Sequence, residues 1–375
     1  MLNFKNDYCN LCHKEVFEYL QKYQNETFVG YGTDEITKKA KELIKETFKL
    51  ENADIHFLIG GTSTNKIMIA HALKPYEAVI SATSGHINVH ETGAIEETGH
   101  KVLTVPEYMG KIKAEDIEKV YIAHTDEHMV KPKMVYISNP NNPTGQFINS
   151  YDLIELAKKI DVPLIVDESG IEFTNQMGIL ESADKLPENL LVVRSFSKAY
   201  GLANLRIGYL LCSNEFKKVY LKNTTTNEYS GISCIIANRI MKESSKYMKD
   251  NVTQILKEKQ LMIEELNKLG IEILNGSYNT IFTKTYFDKR FLKELENNNV
   301  SVVPIYDKND RLHIRIAIQD FDMNKRFISI LALSTLAKSI ISSMAKAVAF
   351  PLTEITGLFD KSNAATATYI ALFAG

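Results

Sequence analysis

Five residues near the middle of the chain have the types and spacing of a site for pyridoxal phosphate (PLP): Asp167, Ser195, Ser197, Lys198 and Arg206. Each answers one demand of that cofactor, whose aldehyde takes an amine, whose ring nitrogen takes an acid, and whose phosphate takes hydroxyls and a guanidinium. The amine of Lys198 would form an aldimine that exchanges when a substrate amine arrives. The carboxylate of Asp167 would keep the pyridine nitrogen protonated and so make the ring an electron sink. Ser195, Ser197 and Arg206 would meet the phosphate, the arginine through a planar fork that suits its oxygens better than an ammonium does. Taken singly, a lysine after a strand is a solvated side chain and an aspartate at a strand end is a helix N-cap. The conjunction carries the reading.

Such a site needs elements to hold it. Asp167 ends the apolar run Val162 to Val166, and Ser195 to Lys198 follow the run Leu190 to Val193. The C-terminal edges of buried strands are where open α/β sheets bind ligands. Between Asp167 and Lys198 there is room for one helix and one strand. Gly60-Gly61-Thr62 follows the strand-like Asp54 to Ile59 and opens a helix containing Ile67, Ala70 and Leu73, so its amides and the Thr62 hydroxyl are aimed at an anion. Further apolar runs at Glu77 to Ser81, Val102 to Val105, Met134 to Ser138 and Ile207 to Leu211 alternate with helical stretches. That alternation predicts a mostly parallel sheet of seven strands wrapped by helices. A long helical stretch from Ser233 to about Leu269, broken or kinked on the way, leads to a smaller α+β unit. Its strands are expected near Ile271 to Leu274, Ile281 to Lys284, Ser301 to Val303 and His313 to Ile318, with helices at Lys289 to Asn297 and Met323 to Leu331.

Three motifs stand in order along the second half of the chain: Asn139-Pro140-Asn141-Asn142-Pro143-Thr144-Gly145, Val166-Asp167-Glu168, and Ser195 to Arg206. Through them residues 139 to about 332 resemble the class I/II aminotransferases of PLP fold type I, especially the histidinol-phosphate aminotransferase branch. It implies that Asn142 bonds the phenolic oxygen of the cofactor, that Asp167, Lys198 and Arg206 act as above, and that Arg315 clamps the substrate α-carboxylate. It also implies that the last strand of the large sheet enters antiparallel. Residues 1 to about 138 resemble the threonine aldolase and β-eliminating lyase group of the same fold type, through Asn6-Asp7, Gly30-Tyr31-Gly32, Gly60 to Asn65 and Ser84-Gly85-His86-Ile87. This second resemblance implies that His86 stacks on the cofactor ring, where aminotransferases usually place an aromatic side chain, and that Tyr31 reaches a neighbouring subunit's phosphate in a homodimer. Asn6 joins Arg315 as an expected contact for the substrate carboxylate. Both resemblances fit a division into an arm (1–25), a large PLP-binding domain (26–225), a linking helix with a small domain (226–332), and an unassigned apolar tail (333–375).

Composition narrows the class. The 375 residues, 45% hydrophobic with net charge −2, suffice for a large core and a smaller second unit, and the near-neutral charge argues against nucleic acid. No arginine precedes Arg194, so Arg206 and Arg315 at motif positions are informative. No basic start followed by an apolar core marks the N-terminus, which leaves the cytoplasm as the expected location. Cys9-Asn10-Leu11-Cys12-His13 has the pattern for covalent haem attachment, but it falls in a short polar arm, and Cys212 and Cys234 form no second pair. Reduced thiols and no metal site are the expectation.

Two departures bear on function. Gly170 stands where the aminotransferase branch usually carries an aromatic residue, often the tyrosine that bonds the phenolic oxygen, which would leave Asn142 alone to tune the aldimine. Losing that donor favours a higher aldimine pKa, because the donor stabilises the unprotonated form. The lyase group's arginine shortly after the aspartate is also missing. The tail is the second departure: it is apolar and rich in small residues from Ser334 to Phe350, and Lys338 and Lys346 inside it argue against a membrane span. A change of resemblance near Tyr136 to Asn139 raises the question whether the two halves pack as one unit. The leading expectation is amino transfer between an amino acid, or an amino acid phosphate, and a 2-oxo acid. Aldol cleavage or elimination on a hydroxy amino acid, decarboxylation of an amino acid phosphate, and a non-catalytic PLP-fold protein are the alternatives.

Overall fold

A computed structural model describes residues 1–7, 14–25, 27, 34–89, 91, 93–107, 111–124, 126–218, 231–307 and 309–334. The expectations placed on Tyr31, on Cys9 to His13 and on the tail beyond Ser334 lie outside the described residues. A two-residue strand, β1 (Leu2–Asn3), precedes the large sheet. That sheet contains β2 (Ala53–Leu58), β3 (Ala78–Ala82), β4 (Lys101–Val105), β5 (Pro132–Ser138), β6 (Leu164–Asp167), β7 (Leu190–Ser195) and β8 (Gly208–Ser213), in the order β2-β8-β7-β6-β5-β3-β4. The pairs β4–β3, β3–β5, β5–β6 and β6–β7 are parallel. β8 runs antiparallel to both β7 and β2, as the fold resemblance implied.

Alternate strand residues enter different cores. Ile55, Ile80, Val135, Val166 and Val192 pack on one face, with residues from the helices Glu35–Phe48 and Gly231–Lys268. Val79, Met134, Ile165, Leu191 and Val193 pack on the other, with Met68 and Ile69 of the helix Gly60–Ala72. A sheet covered on both faces needs nearly continuous apolar strands, and β6 and β7 are of that kind. Asp34 caps the first of these helices by accepting from Thr37 N at 2.8 Å. The helix Gly231–Lys268 runs for 38 residues without interruption, where a break was expected. It contains no proline and no glycine after its first residue, so the usual causes of a break are missing.

A smaller four-stranded antiparallel sheet has the order β12-β13-β10-β9, from β9 (Ile273–Leu274), β10 (Thr280–Thr283), β12 (Val303–Tyr306) and β13 (Leu312–Ala317). β1 pairs in parallel with β11 (Val300–Ser301), and the Phe4 ring packs tilted against Phe327 at 4.6 Å between ring centres. The first residues therefore belong to the core of the smaller sheet, far away in sequence.

The two halves that resemble different families share one sheet. β5 pairs with β3 on one side and β6 on the other. The Tyr136 hydroxyl accepts from Asn65 Nδ2 at 3.2 Å and donates to Asp167 Oδ2 at 2.7 Å, and Asn141 Nδ2 donates to Ser84 Oγ at 2.8 Å. The halves pack as one unit, with buried polar groups paired across the join.

Candidate active site

The ends of three parallel strands and the tip of one helix form the first wall of a cavity of about 290 Å³. Register sets Ser138 opposite Asp167, and Ser195 opposite Gly208, so β5, β6 and β7 deliver their last polar residues to one edge. Lys198 follows on the turn after β7. Gly61 and Thr62 enter from the first turn of the helix Gly60–Ala72, and Arg206 comes from the turn that opens β8. Gly60 has φ +69°, and a Cβ built there would lie 2.1 Å from Arg206 Nη2. The guanidinium thus uses the space a side chain would fill, against amides at a helix N-terminus. Ser195 Oγ accepts from Ser197 N at 3.1 Å, which keeps both hydroxyl-bearing residues in the same turn.

Asp167 is held from three donors. Tyr136 bonds Oδ2, and Ser169 bonds Oδ1 through its amide at 3.0 Å and its hydroxyl at 2.5 Å. Burial and the Asp167 charge hold the Tyr136 phenol well above its ordinary pKa, so it remains a donor. A second buried network ties the strand ends together. Arg194, just before Ser195, donates through Nε to Glu168 Oε2 at 2.9 Å and through Nη2 to Glu181 Oε2 at 2.8 Å, with Glu172 3.7 Å away. Glu168 Oε1 also accepts from Ile179 N at 2.7 Å. Three carboxylates share one guanidinium, so burial pushes Glu168 up to about 7 and raises Glu172 as well.

The second wall comes from the arm and the smaller sheet. Arg315 on β13 is buried, donates through Nη1 to Asn142 Oδ1 at 2.9 Å and through Nη2 to the Lys5 carbonyl, and its buried Nε has no hydrogen-bond partner among the described residues. The arm is pinned alongside: Ala317 N donates to the Phe4 carbonyl at 2.9 Å, Gln319 Nε2 to the Asn6 carbonyl at 3.2 Å, and Asn279 Nδ2 to the Asp7 carbonyl at 2.7 Å. Asp7 Oδ2 is 3.0 Å from Lys198 Nζ and 4.0 Å from Arg315 Nη1. Burial opposes its charge, but Lys198 and Arg315 outweigh that and hold the carboxyl down to about 2. Burial likewise opposes the charge of Lys198, and Asp7 with the Tyr278 hydroxyl overcomes it, so the amine is kept protonated. Tyr278 accepts a hydrogen bond from Lys198 Nζ, and its ring lies where a side chain at Gly170 would go.

His86 closes the cavity on another side. Its Nδ1 is 2.8 Å from Glu91 Oε1, which also accepts from Asn65 Nδ2 at 2.7 Å. Through Asn65 and Tyr136 the imidazole is linked to Asp167.

The cavity therefore brings together Asn6, Gly61, Thr62, His86, Asn142, Asp167, Ser195, Ser197, Lys198, Arg206 and Arg315, which is every expected site residue except Tyr31. Asp7 and Tyr278 were missed. Asp7 stood in a quoted motif, beside Asn6, but nothing local in the sequence marks Tyr278. A larger groove of about 710 Å³ runs past Lys111, Asp152 and Asn275 and contains none of these groups. No cluster of metal-binding side chains occurs among the described residues, and Cys212 and Cys234 are buried free thiols.

The donor set fits PLP: a helix tip, hydroxyls and a guanidinium for a phosphate, a firmly held carboxylate for a ring nitrogen, and a buried amine between them. A family model for aminotransferase class I and II matches residues 4–331. Among curated relatives, the histidinol-phosphate aminotransferase of Caldanaerobacter subterraneus is 36% identical over 155 residues, covering 41% of this chain and 43% of that enzyme. That of Clostridium novyi is 24% identical over 331 residues, covering 81% and 88%. The solved structure of Leishmania major threonine aldolase superposes with TM-score 0.74 at 27% identity, covering 88% of this chain and 99% of that one. The matched span places the chain in the aminotransferase class I and II family, as a PLP-dependent enzyme of fold type I.

Proposed function

We propose that the protein transfers an amino group between an amino acid, or an amino acid phosphate, and a 2-oxo acid. The observation that carries this reading is Arg315: a buried guanidinium on the cavity wall, braced by Asn142, whose Nε has no hydrogen-bond partner among the described residues. An unpaired buried donor is costly, and an α-carboxylate would satisfy it with charge-assisted bonds. Asn6 on the pinned arm is the second candidate contact for that carboxylate. PLP, when bound, supplies an electron sink for negative charge at the substrate α-carbon. Gly61, Thr62, Ser195, Ser197 and Arg206 would hold its phosphate, Asp167 its ring nitrogen, His86 its face and Asn142 its phenolic oxygen. Lys198, whose amine points into the cavity beside Asp7 and Tyr278, would be the group that takes the substrate α-proton and gives a proton back. Asp7 lies between Lys198 and Arg315 and keeps the lysine charged.

The test is a half-reaction. Enzyme loaded with PLP and mixed with single amino acids is expected to give the pyridoxamine absorbance and one equivalent of 2-oxo acid; no such product from any amino acid overturns the reading. Cleavage at Cβ is the second reading, favoured by His86 with a buried carboxylate behind it, an arrangement suited to moving a proton. Acetaldehyde and glycine from threonine, with no acceptor present, would identify it. The same family relationship suggests a homodimer with Tyr31 contributed across the interface, for which sedimentation at working concentration is the check. No helix among the described residues is long and apolar enough to cross a membrane.

A further inference from the structure

Position 170 is a glycine because its space is taken. A Cβ there would meet Tyr278 Cε2 at 2.0 Å and Cδ2 at 2.6 Å, so the ring of a residue from the loop before β10 fills the room that a side chain after Asp167-Glu168-Ser169 would use. That ring is buried, and its hydroxyl is bonded by Lys198 Nζ and lies 3.5 Å from Asp7 Oδ2. It is also held in place. Lys259 Nζ donates to the carbonyls of Gly276 at 2.7 Å and Tyr278 at 2.8 Å, and Ser277 N donates to the Gly145 carbonyl at 2.7 Å, tying the loop to the turn that carries Asn142.

The chemistry of the cofactor says what a phenol in that place would meet. Around the pyridine ring, the nitrogen and the carbon bearing the carbonyl are opposite. The phosphate arm leaves one flank between them, and the 3-oxygen leaves the other. Asp167 serves the nitrogen, Lys198 the carbonyl carbon, and the Ser195, Ser197 and Arg206 group the phosphate flank. Tyr278 is bonded by Lys198 and fills the space at Gly170, and among the described residues no hydrogen bond joins it to Ser195, Ser197 or Arg206, which fits the flank of the 3-oxygen. Asn142, the other group expected there, spends its carbonyl oxygen on Arg315.

We infer that Tyr278 is a catalytic residue, its hydroxyl supplying from the loop before β10 the hydrogen bond to the cofactor 3-oxygen that Gly170 cannot supply, beside the amine of Lys198. Tyr278 and Gly170 thus form one exchangeable unit, an aromatic ring delivered by a different part of the chain. The phenol is held in its protonated form by burial, which suits a donor. A donor to that oxygen stabilises the deprotonated state of the lysine-bound cofactor, so its loss raises the pH at which the proton leaves. The inference rests on PLP being carried by Lys198, and holds for transfer and cleavage alike.

The experiment uses the PLP-loaded enzyme and Tyr278→Phe, which keeps the ring and its packing and removes one oxygen. The pH midpoint of the visible absorbance change is expected to rise by about one unit, a tenfold shift of the proton equilibrium. In the pair Gly170→Tyr with Tyr278→Gly, the ring is supplied from the other position and the midpoint is expected to return toward the starting value, while Tyr278→Gly alone stays high. Borohydride reduction followed by peptide mass analysis shows in each case whether the cofactor is on Lys198. Trapping intact in Tyr278→Phe with an unmoved midpoint overturns the assignment of Tyr278 alone. Failure to trap PLP on Lys198 in the unaltered enzyme overturns both the inference and the functional reading beneath it.

Discussion

The two walls of the cavity are built in contrasting ways. The sheet-edge wall takes Asp167, Ser195, Ser197, Lys198 and Arg206 from neighbouring strand ends within one stretch of chain. The facing wall takes Asp7 from the arm, Tyr278 from the loop before β10 and Arg315 from β13, and these meet only because β1 pairs with β11 and Asn279 holds the Asp7 carbonyl. The first wall has the groups that would grip the cofactor, and the second has those that would address the substrate and tune the amine. Gripping tolerates little change in spacing, so it sits on rigid parallel strands, whereas tuning can be supplied by any element that reaches the cavity. Tyr278 in the place of a side chain at position 170 is the example.

Variants of the two walls should therefore separate cofactor capture from substrate handling. The largest effect is expected for Lys198→Ala, which should lose covalent cofactor and reduce turnover by on the order of 10³-fold or more, measured by single-turnover absorbance. Arg194→Met leaves Glu168 buried without its cation, and urea unfolding should show a loss of roughly 3–5 kcal/mol together with weaker PLP binding, since the network ties Asp167 to Ser195. Arg315→Lys keeps the charge but loses the fork; kcat/KM for amino acids should fall about 10- to 100-fold while PLP affinity is unchanged. A matched loss of cofactor in that variant would break the division between the walls.

The smallest effect concerns pH. The Asp7 carboxyl is held down to about 2 from the ordinary 3.8, so its contribution to the cofactor-free protein is present above 3.8 and is lost as pH falls through 2. Its size is on the order of 2 kcal/mol. Asp7→Asn should abolish that acid-side loss in thermal melts. Glu168 behaves oppositely: raised to about 7, it adds stability below its ordinary 4.5 that disappears as pH rises through 7, so Glu168→Gln should flatten the neutral side of the curve. A Glu168→Gln profile that still declines toward pH 7 would show that another group on the sheet-edge wall carries the proton.

Much of this was legible from residue order. Apolar runs ending in Asp167 and Arg194 located β6 and β7, because a strand covered on both faces must be apolar until it reaches the edge. Most boundaries moved by one or two residues, as at β8, where the expected Ile207 to Leu211 became Gly208–Ser213, but the single strand expected at Ser301 to Val303 is two, β11 and β12, in different sheets. Of the break or kink expected in the long helix, the break is absent: the helix is continuous over 38 residues, with no proline and no glycine after its first residue. The join near Tyr136 looked uncertain because two resemblances meet there, and it packs because Tyr136 itself bonds both sides.

The sequence by itself determined the set of groups proposed to grip the cofactor, since PLP demands an amine, an acid and anion donors at spacings that one helix–strand unit enforces. It determined the alternation of the large sheet for the same local reason. Only the tertiary structure decided that Asp7 pairs with Lys198, that Tyr278 fills the place beside Gly170, and that Glu91 backs His86. Those contacts join residues through side chains packed between separate elements, and nothing in the order of residues along the chain encodes which distant loop will occupy a space left by a glycine.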